Sequence, residues 1–131
     1  MVFSSKSVLI VEDNGLLSIV EKQLIQKMGH RVIATVEDGA KALKIVEEKE
    51  PDILLVDVKL DGPMDGIQTV KEIRKKSDVP VIYLSGYSDP EVRSRAKEVG
   101  FSGYLTKPVR MDDLKVAFEK AFQAENVVRS E

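Results

Sequence analysis

The sequence contains no cysteine and a single histidine, His30. The lack of cysteine excludes disulfide frameworks, thiolate nucleophiles, cysteine zinc sites and iron–sulfur clusters. One histidine is too few for a histidine-rich metal site. The glycine-rich fingerprints of dinucleotide-binding and P-loop proteins are absent as well. These absences remove several classes of metal, redox and nucleotide-binding protein from consideration.

Long hydrophobic runs are also missing, and none approaches the ~18 residues of a membrane span. The first residues, MVFSSKSVLIVEDN, contain an apolar run that is too short for the core of a signal peptide. Lys and Arg together number 20 and Asp and Glu 22, which gives a net charge of −2. A nearly neutral chain has no general attraction to nucleic acids or anionic membranes. We therefore expect a cytoplasmic domain that binds neither directly.

The chain of 131 residues has the size of one domain. Hydrophobic residues make up 43% and charged residues 32%, which is an ordinary globular balance. We expect a single domain over residues 1–124, followed by a C-terminal tail or linker remnant over 125–131.

Three short apolar runs have the length of β-strands: Ser7–Val11, Ile53–Val56 and Val79–Leu84. They lack the alternation of a half-exposed sheet, which favours strands buried on both faces. Weaker candidates are Arg31–Val36 and Gly103–Leu105.

Helical spacing separates these runs. Leu17, Val20, Leu24 and Met28 recur at three or four residues and predict the first helix. Similar patterns follow each of the other strands. Strand–helix alternation repeated five times predicts right-handed βαβ units, hence an α/β fold with a doubly wound parallel sheet.

In such a sheet, ligands bind beyond the carboxyl ends of the strands. The residues found there are Glu12, Asp13, Asp57, Ser85 and Lys107. Asp13 alone would be interpreted as a helix cap. Together, however, three carboxylates in one crevice resist ionisation unless a cation is present, and Mg²⁺ accepts both carboxylate and phosphate oxygens. The lysine can hold a phosphate and the serine can donate to it. The pattern indicates Mg²⁺-assisted phosphoryl transfer, with a carboxylate as possible nucleophile.

Four motifs then resemble the receiver domains of two-component response regulators, including the single-domain chemotaxis type: VLIVEDN, LLVDV, YLSGYS and GYLTKPV. The resemblance extends from Lys6 to Phe122. It implies a flavodoxin-like (βα)5 fold with strand order 2-1-3-4-5. It also implies that the chain is not an enzyme beyond its own phosphorylation and dephosphorylation.

The resemblance implies a role for each matching residue. Asp57 would be the phospho-acceptor, becoming an acyl phosphate. Glu12, Asp13 and Asp57 would hold Mg²⁺ together with the backbone carbonyl of Lys59. A sensor histidine kinase or a phosphotransfer protein would supply the phosphoryl group.

Further roles concern the last two strands. Ser85 and Lys107 would bind the phosphoryl group, and the Lys107–Pro108 peptide bond would be cis. Tyr104, three residues before Lys107, matches the switch aromatic of the family and would act together with Ser85. An unidentified output partner would dock near the fourth and fifth helices.

The loop after Asp57, VKLDGPMDGI, is one residue longer than the common family pattern. It adds Asp61 and Asp65, which we expect to be turn residues, with Asp65 and Gly66 opening the third helix.

Two alternative functions share parts of this pattern. A Mg²⁺-dependent phosphohydrolase of the haloacid-dehalogenase type needs a second Asp two residues after its nucleophile, where this chain has Lys59. A flavodoxin-like nucleotide carrier needs a first loop that cradles phosphate, whereas the loop here contains Glu12 and Asp13.

Overall fold

A computed structural model of the chain describes the backbone of residues 4–86 and 90–130, and side chains within these ranges as far as Gln123. Strands and helices alternate along the described segments. The strands are β1 (Ser7–Val11), β2 (Arg31–Val36), β3 (Ile53–Asp57), β4 (Val81–Ser85) and β5 (Gly103–Thr106). The helices are α1 (Gly15–Lys27), α2 (Gly39–Lys49), α3 (Gly66–Ile73), α4 (Pro90–Val99) and α5 (Met111–Ser130).

The strands form one parallel sheet in the order β2-β1-β3-β4-β5. The order changes direction between β1 and β3, which creates the crevice where doubly wound sheets bind ligands. The predicted flavodoxin-like α/β fold and its strand order are confirmed.

Apolar cores cover both faces of the sheet, because successive strand residues point to opposite sides. In β1, Leu9 belongs to the core under α2, α3 and α4, whereas Ile10 belongs to the core under α1 and α5. Burial of the central strands on both faces explains their unbroken apolar sequences. It also fixes the strand ends that carry the polar residues.

Helix α1 departs from the sequence prediction at one position. Val20, which was placed on the buried face, is 43% exposed, whereas Glu21 is 3% exposed. Glu21 lies four residues after Leu17 and four before Ile25, and residues at this spacing share one side of a helix. The helix therefore buries the carboxyl group of Glu21 and exposes the apolar side chain of Val20, whose spacing had helped to predict the helix.

Several element ends also differ from the predicted ones: β3, β4 and β5 each end one residue later, at Asp57, Ser85 and Thr106, and two further differences have clear consequences. Strand β4 begins at Val81 and not at Val79, because Pro80 lacks the N–H that a central ladder position donates. Helix α5 continues to Ser130, through the segment assigned to a tail; the division at residue 124 stays a prediction. Within the described residues, no helix combines the length and the apolar character needed to cross a bilayer.

Candidate phosphoryl-transfer site

Polar side chains from four strand ends meet at the carboxyl edge of the sheet. They are Glu12 and Asp13 after β1, Asp57 and Ser85 at the ends of β3 and β4, and Lys107 after β5. The N–H of Val58 donates to the carbonyl of Leu84 over 2.9 Å, and that of Lys107 to the carbonyl of Ser85 over 2.8 Å. These backbone bonds extend the ladder past the strands and bring the predicted residues together.

The ammonium group of Lys107 lies between two buried carboxylates. Its Nζ donates to Oδ2 of Asp57 over 2.7 Å and lies 2.9 Å from Oε1 of Glu12. Burial lowers the pKa of Lys107, but the hydrogen bonds to Asp57 and Glu12 outweigh burial and raise the pKa above its ordinary value. The lysine therefore remains charged and partly neutralises the acids.

The carboxylates repel one another in this half-closed crevice. Burial, followed by the contact with Glu12, raises the pKa of Asp57 to about 7, against the opposing effect of Lys107. Burial also raises the pKa of Asp13, and the charges of Asp61 and Glu12 add to the shift. The pKa of Glu12 is lowered, because hydrogen bonds with Asp57 and Lys107 outweigh its burial.

The acid cluster fits a small, hard cation. Glu12, Asp13 and Asp57 each offer one carboxylate oxygen, and these three oxygens lie within 4.8 Å of one another. Oxygen ligands at this spacing suit Mg²⁺, which takes few carboxylates and keeps several waters. A cation would also relieve the repulsion that raises the pKa values of Asp13 and Asp57.

A fourth carboxyl group reaches the cluster from α1. Burial, followed by the neighbouring carboxyl group of Glu12, raises the pKa of Glu21 to about 9. Among the described residues, its Oε1 has no hydrogen-bond partner. Sequence reasoning missed this residue, although its spacing from Leu17 and Ile25 was a signal for burial.

The loop after β3 is tied to the site at both ends. The N–H of Lys59 donates to Oδ1 of Asp57 over 3.1 Å, and that of Asp61 to Oδ2 of Asp13 over 3.1 Å. At the far end, the N–H of Gly66 donates to the carbonyl of Val58 over 2.8 Å. The loop is thus held against the acid cluster, with Lys59 directly beside it.

Helix α3 begins as the sequence predicts. Asp65 caps it in a capping box with Gln68, its carboxylate accepting from the Gln68 N–H over 2.8 Å. A Cβ atom on Gly66 would collide with the backbone carbonyl of Asp57. The helix can approach the end of β3 this closely because residue 66 has no side chain, a requirement that the sequence analysis did not find.

Tyr104 lies in an aromatic cluster behind the site. Its ring centroid is 6.2 Å from that of Tyr83 and 5.6 Å from that of Phe101, and the guanidinium carbon of Arg93 lies 5.0 Å from its own. Its hydroxyl group is buried without a hydrogen-bond partner among the described residues. Ser85, on the neighbouring strand β4, is 6% exposed.

The Lys107–Pro108 peptide bond is cis. The predicted cis bond therefore directly follows the lysine that contacts Asp57.

A doubly wound parallel sheet that carries acids and a lysine at its carboxyl edge is typical of one class of α/β signalling domain. The chain belongs to the response regulator receiver domain family, whose model matches residues 8–119.

Relatives and solved structures agree with this membership. The transcriptional regulatory protein PdtaR of Mycobacterium tuberculosis is 32% identical over 116 residues, which cover 88% of this chain and 56% of that protein. The probable C4-dicarboxylate response regulator DctR of Bacillus subtilis is 36% identical over 115 residues, covering 86% and 50%. This chain thus spans about half the length of these relatives.

Among solved structures, the signal receiver domain of a modulated diguanylate cyclase from Desulfovibrio desulfuricans G20 has a TM-score of 0.88 and 32% identity, covering 95% of this chain and 98% of that one. The chain is therefore a receiver domain, a signalling module consistent with phosphorelay signalling. The family match gives no support to the haloacid-dehalogenase alternative. Receiver domains generally bind Mg²⁺ at an acidic pocket, which corresponds here to Glu12, Asp13 and Asp57.

Proposed function

We propose that this domain accepts a phosphoryl group on Asp57 in a Mg²⁺-dependent reaction and thereby switches the binding of an output partner. The observation that carries the proposal is the position of Lys107, whose ammonium group bridges Asp57 and Glu12. This arrangement places a fixed positive charge beside the acceptor oxygen, where the charge of a phosphoryl group would develop.

The transfer itself is a substitution at phosphorus. An oxygen of Asp57 forms a bond to phosphorus while the bond from phosphorus to the donor's imidazole nitrogen breaks, and the nitrogen keeps the electron pair. Lys107 pairs with the arriving oxygens as a point charge, and the hydroxyl of Ser85 donates to one of them. The product is an acyl phosphate on Asp57, whose hydrolysis returns the carboxylate.

The proposed metal ligands are the carboxylates of Glu12, Asp13 and Asp57 and the backbone carbonyl of Lys59. When bound, Mg²⁺ would neutralise part of the negative charge of the acids and of the phosphoryl oxygens. The position of Lys59 supports this ligand set, because its N–H donates to the Asp57 carboxylate and so holds the Lys59 backbone beside the acids.

The phosphodonor is proposed to be a histidine kinase or a phosphotransfer protein. Asp57 is 5% exposed, so a donor must contact the rim of the crevice to reach it. Helix α1 begins at Gly15, two residues after Asp13, and its apolar residues Leu16, Ile19 and Val20 are 72%, 56% and 43% exposed. An apolar rim of this kind supports a protein donor.

The cytoplasmic location that the sequence predicts for this domain is also part of the proposal.

The output is proposed to pass from Ser85 to Tyr104. A phosphoryl group on Asp57 would draw the Ser85 hydroxyl toward it, leaving room behind β4 for the neighbouring aromatic ring. Arg93 of α4 contacts the Tyr104 ring, so a movement of the ring changes the surface formed by α4, β5 and α5. The unidentified output partner would bind this surface.

Acetyl phosphate with Mg²⁺ provides a direct test of the acceptor. Intact-mass spectrometry should show one added phosphoryl group on the parent and none on Asp57→Asn. Asp112→Asn, which removes an exposed acid from the first turn of α5, is the matched control and should react like the parent. Full modification of Asp57→Asn would contradict the proposal.

A further inference from the structure

Tyr83 is a neighbour of both Ser85 and Tyr104, yet the proposed phosphoryl transfer leaves it without a role. We infer that Tyr83 is a positioning residue of the switch. Once phosphate on Asp57 has drawn Ser85 toward it and the Tyr104 ring has moved behind β4, the two tyrosine hydroxyl groups form a hydrogen bond, which holds that ring in its inward position. The inference rests on the proposed function, because it deepens the account of how the signal leaves the same site.

The first argument is the register of the strands. In the ladder between β4 and β5, Tyr83 lies directly opposite Tyr104, and Ser85 lies opposite Thr106. Ser85 and Tyr83 are two residues apart on one strand and so share a face of the sheet. Tyr83 belongs to the core on that face, and Tyr104 packs against the same core. Ser85 is therefore only diagonal to Tyr104, whereas Tyr83 is adjacent to both.

The second argument is the contact between the rings. The ring planes of Tyr83 and Tyr104 are inclined at 58°, and their centroids are 6.2 Å apart. Phe101 contacts both rings, at 5.9 Å from Tyr83 and 5.6 Å from Tyr104. These distances lie within the range of interacting aromatic pairs, roughly 4.5–7 Å. A movement of the Tyr104 ring therefore changes the surroundings of Tyr83 directly.

The third argument is the pair of unpartnered hydroxyl groups. Both tyrosine oxygens are buried, and neither has a hydrogen-bond partner among the residues that the structure describes. Tyr83 is fully buried, and a buried hydroxyl without a partner costs free energy that phenylalanine at the same place would not. Packing alone therefore favours phenylalanine at position 83. The hydroxyl is explained if it gains a partner in the other state of the switch.

The Tyr104 hydroxyl is the partner that fits. The charged groups that act on Tyr83 are Arg74, Asp65 and Arg95. Arg95 is already paired with Asp65 over 3.0 Å, and Nη1 of Arg74 donates to a backbone carbonyl over 3.4 Å. Burial raises the pKa of Tyr83, so its hydroxyl keeps its proton. Each tyrosine can then both donate and accept, and the inward movement of one ring brings the two hydroxyls together.

The experiment compares Tyr83→Phe with the parent in two measurements. The first is urea unfolding without a phosphate mimic, in which the variant should unfold at a higher urea concentration because it lacks an unpartnered hydroxyl. The second is a beryllofluoride titration with saturating Mg²⁺, followed by NMR of the Tyr104 ring. The variant should bind beryllofluoride roughly fivefold more weakly, since the hydrogen bond that favours the inward state is lost.

Ile82→Val is the control for a change of packing. Ile82 precedes Tyr83 on β4 and belongs to the core on the opposite face of the sheet. The variant loses a buried methylene group and should be less stable than the parent. It keeps both hydroxyl groups, so its affinity for beryllofluoride should equal that of the parent.

A double-mutant cycle with Tyr104→Phe tests whether the two hydroxyl groups act on each other. Tyr104→Phe alone should weaken beryllofluoride binding as much as Tyr83→Phe does, and the double mutant should show no further loss. Unchanged or tighter binding in Tyr83→Phe, or additive losses in the double mutant, would overturn the inference. So would a lower urea midpoint for Tyr83→Phe, because the hydroxyl would then already have a partner. Should Tyr83→Phe fail to fold, parental affinity in Tyr104→Phe would overturn the inference.

Failure of the proposed function gives a different result. A parent protein that neither reacts with acetyl phosphate nor binds beryllofluoride would refute the proposed function before any variant is compared. A parent whose Tyr104 ring does not respond to beryllofluoride would refute the proposed output. A parent that reacts, binds and responds, with the same affinity in Tyr83→Phe, would refute the role of Tyr83 alone.

Discussion

Nζ of Lys107 lies 2.7 Å from Oδ2 of Asp57, so the Asp57 carboxylate forms an ion pair inside the protein. The pair is largely shielded from solvent, since the two side chains are 16% and 6% exposed. The same ammonium group also contacts Glu12. Before any ligand arrives, Lys107 thus supplies the positive charge that the acid cluster requires.

Replacing this lysine should expose the repulsion between the acids. Lys107→Met is expected to lower the free energy of unfolding without metal by about 3 kcal/mol, because it leaves two buried carboxylates without their partner. Saturating Mg²⁺ should stabilise this variant more than the parent, since a cation replaces the missing charge. Urea unfolding with and without Mg²⁺ measures both effects; equal Mg²⁺ stabilisation of the two proteins would contradict the prediction.

Asp13→Asn should have the opposite effect on the metal-free protein. Burial, and then the charges of Asp61 and Glu12, raise the pKa of Asp13 and so disfavour its charged form. Removing that charge should therefore make this variant more stable than the parent without metal. Mg²⁺ at about ten times its dissociation constant should add roughly 1.4 kcal/mol to the parent and less to the variant. Thermal melts test both points. A lower melting temperature for the metal-free variant would show that Asp13 stabilises the fold, through the hydrogen bond it accepts from the Asp61 N–H, more than its charge destabilises it.

The close approach of α3 to β3 makes a steric prediction. Gly66→Ala places a methyl group against the backbone carbonyl of Asp57 and should cost roughly 2–3 kcal/mol of stability. Gly15→Ala is the matched control, because a Cβ there meets no atom within 4 Å and Gly15 is the first residue of α1. The control should be as stable as the parent or slightly more so. Chemical denaturation of both variants is the measurement.

The single histidine should make stability depend on pH. Nδ1 of His30 accepts the N–H of Lys6 over 3.0 Å, and burial, together with the charge of Lys6, lowers the pKa of the ring. Below pH ~6.5 the unfolded histidine binds a proton that the folded one resists, so its contribution to stability is present above that pH and is lost as the pH falls.

His30→Gln isolates this contribution. The difference in unfolding free energy between parent and variant should shrink from pH 7 to pH 5, as urea titrations at several pH values would show. A constant difference over this range would mean that the histidine does not titrate differently in the two states.

The proposed switch separates phosphorylation from its output. Ser85→Ala keeps the acceptor and the metal ligands, so it should still take up phosphate, but the ring of Tyr104 should no longer respond. NMR of the tyrosine ring with and without beryllofluoride follows this response, and the parent should show a clear change. An unchanged Tyr104 environment in the parent would mean that the signal leaves through another surface.

The sequence predicted the sheet well because β1, β3 and β4 are buried on both faces, which leaves continuous apolar runs. The convergence of Asp13, Asp57 and Lys107 followed from the geometry of parallel strands. The burial of residues that depends on contacts between separate parts of the chain was harder to predict. Val20 and Glu21 are adjacent in the chain, and spacings of three and four residues both fit a helix; packing decided between them.

Other features lay beyond the reach of sequence patterns. The need for glycine at position 66 arises from the distance between α3 and the end of β3. The burial of the Tyr104 hydroxyl arises from packing against Tyr83 and Phe101, which come from different parts of the chain. Neither contact produces a repeating pattern of residue types in the sequence, so neither was predicted.

The anchored loop after Asp57 has a consequence for how this protein can evolve. The N–H groups of Lys59, Asp61 and Gly66 are held by the Asp57 carboxylate, the Asp13 carboxylate and the Val58 carbonyl, whereas Gly62 and Pro63 between them are exposed. Gly62 has a positive φ, a conformation that glycine adopts readily, and so lets the exposed stretch turn. Changes at Gly62 and Pro63 alter what a visiting protein meets at the rim of the crevice, while the hydrogen bonds to Asp13 and Asp57 stay in place. A lineage can therefore exchange protein partners through this loop and inherit the acid cluster unchanged.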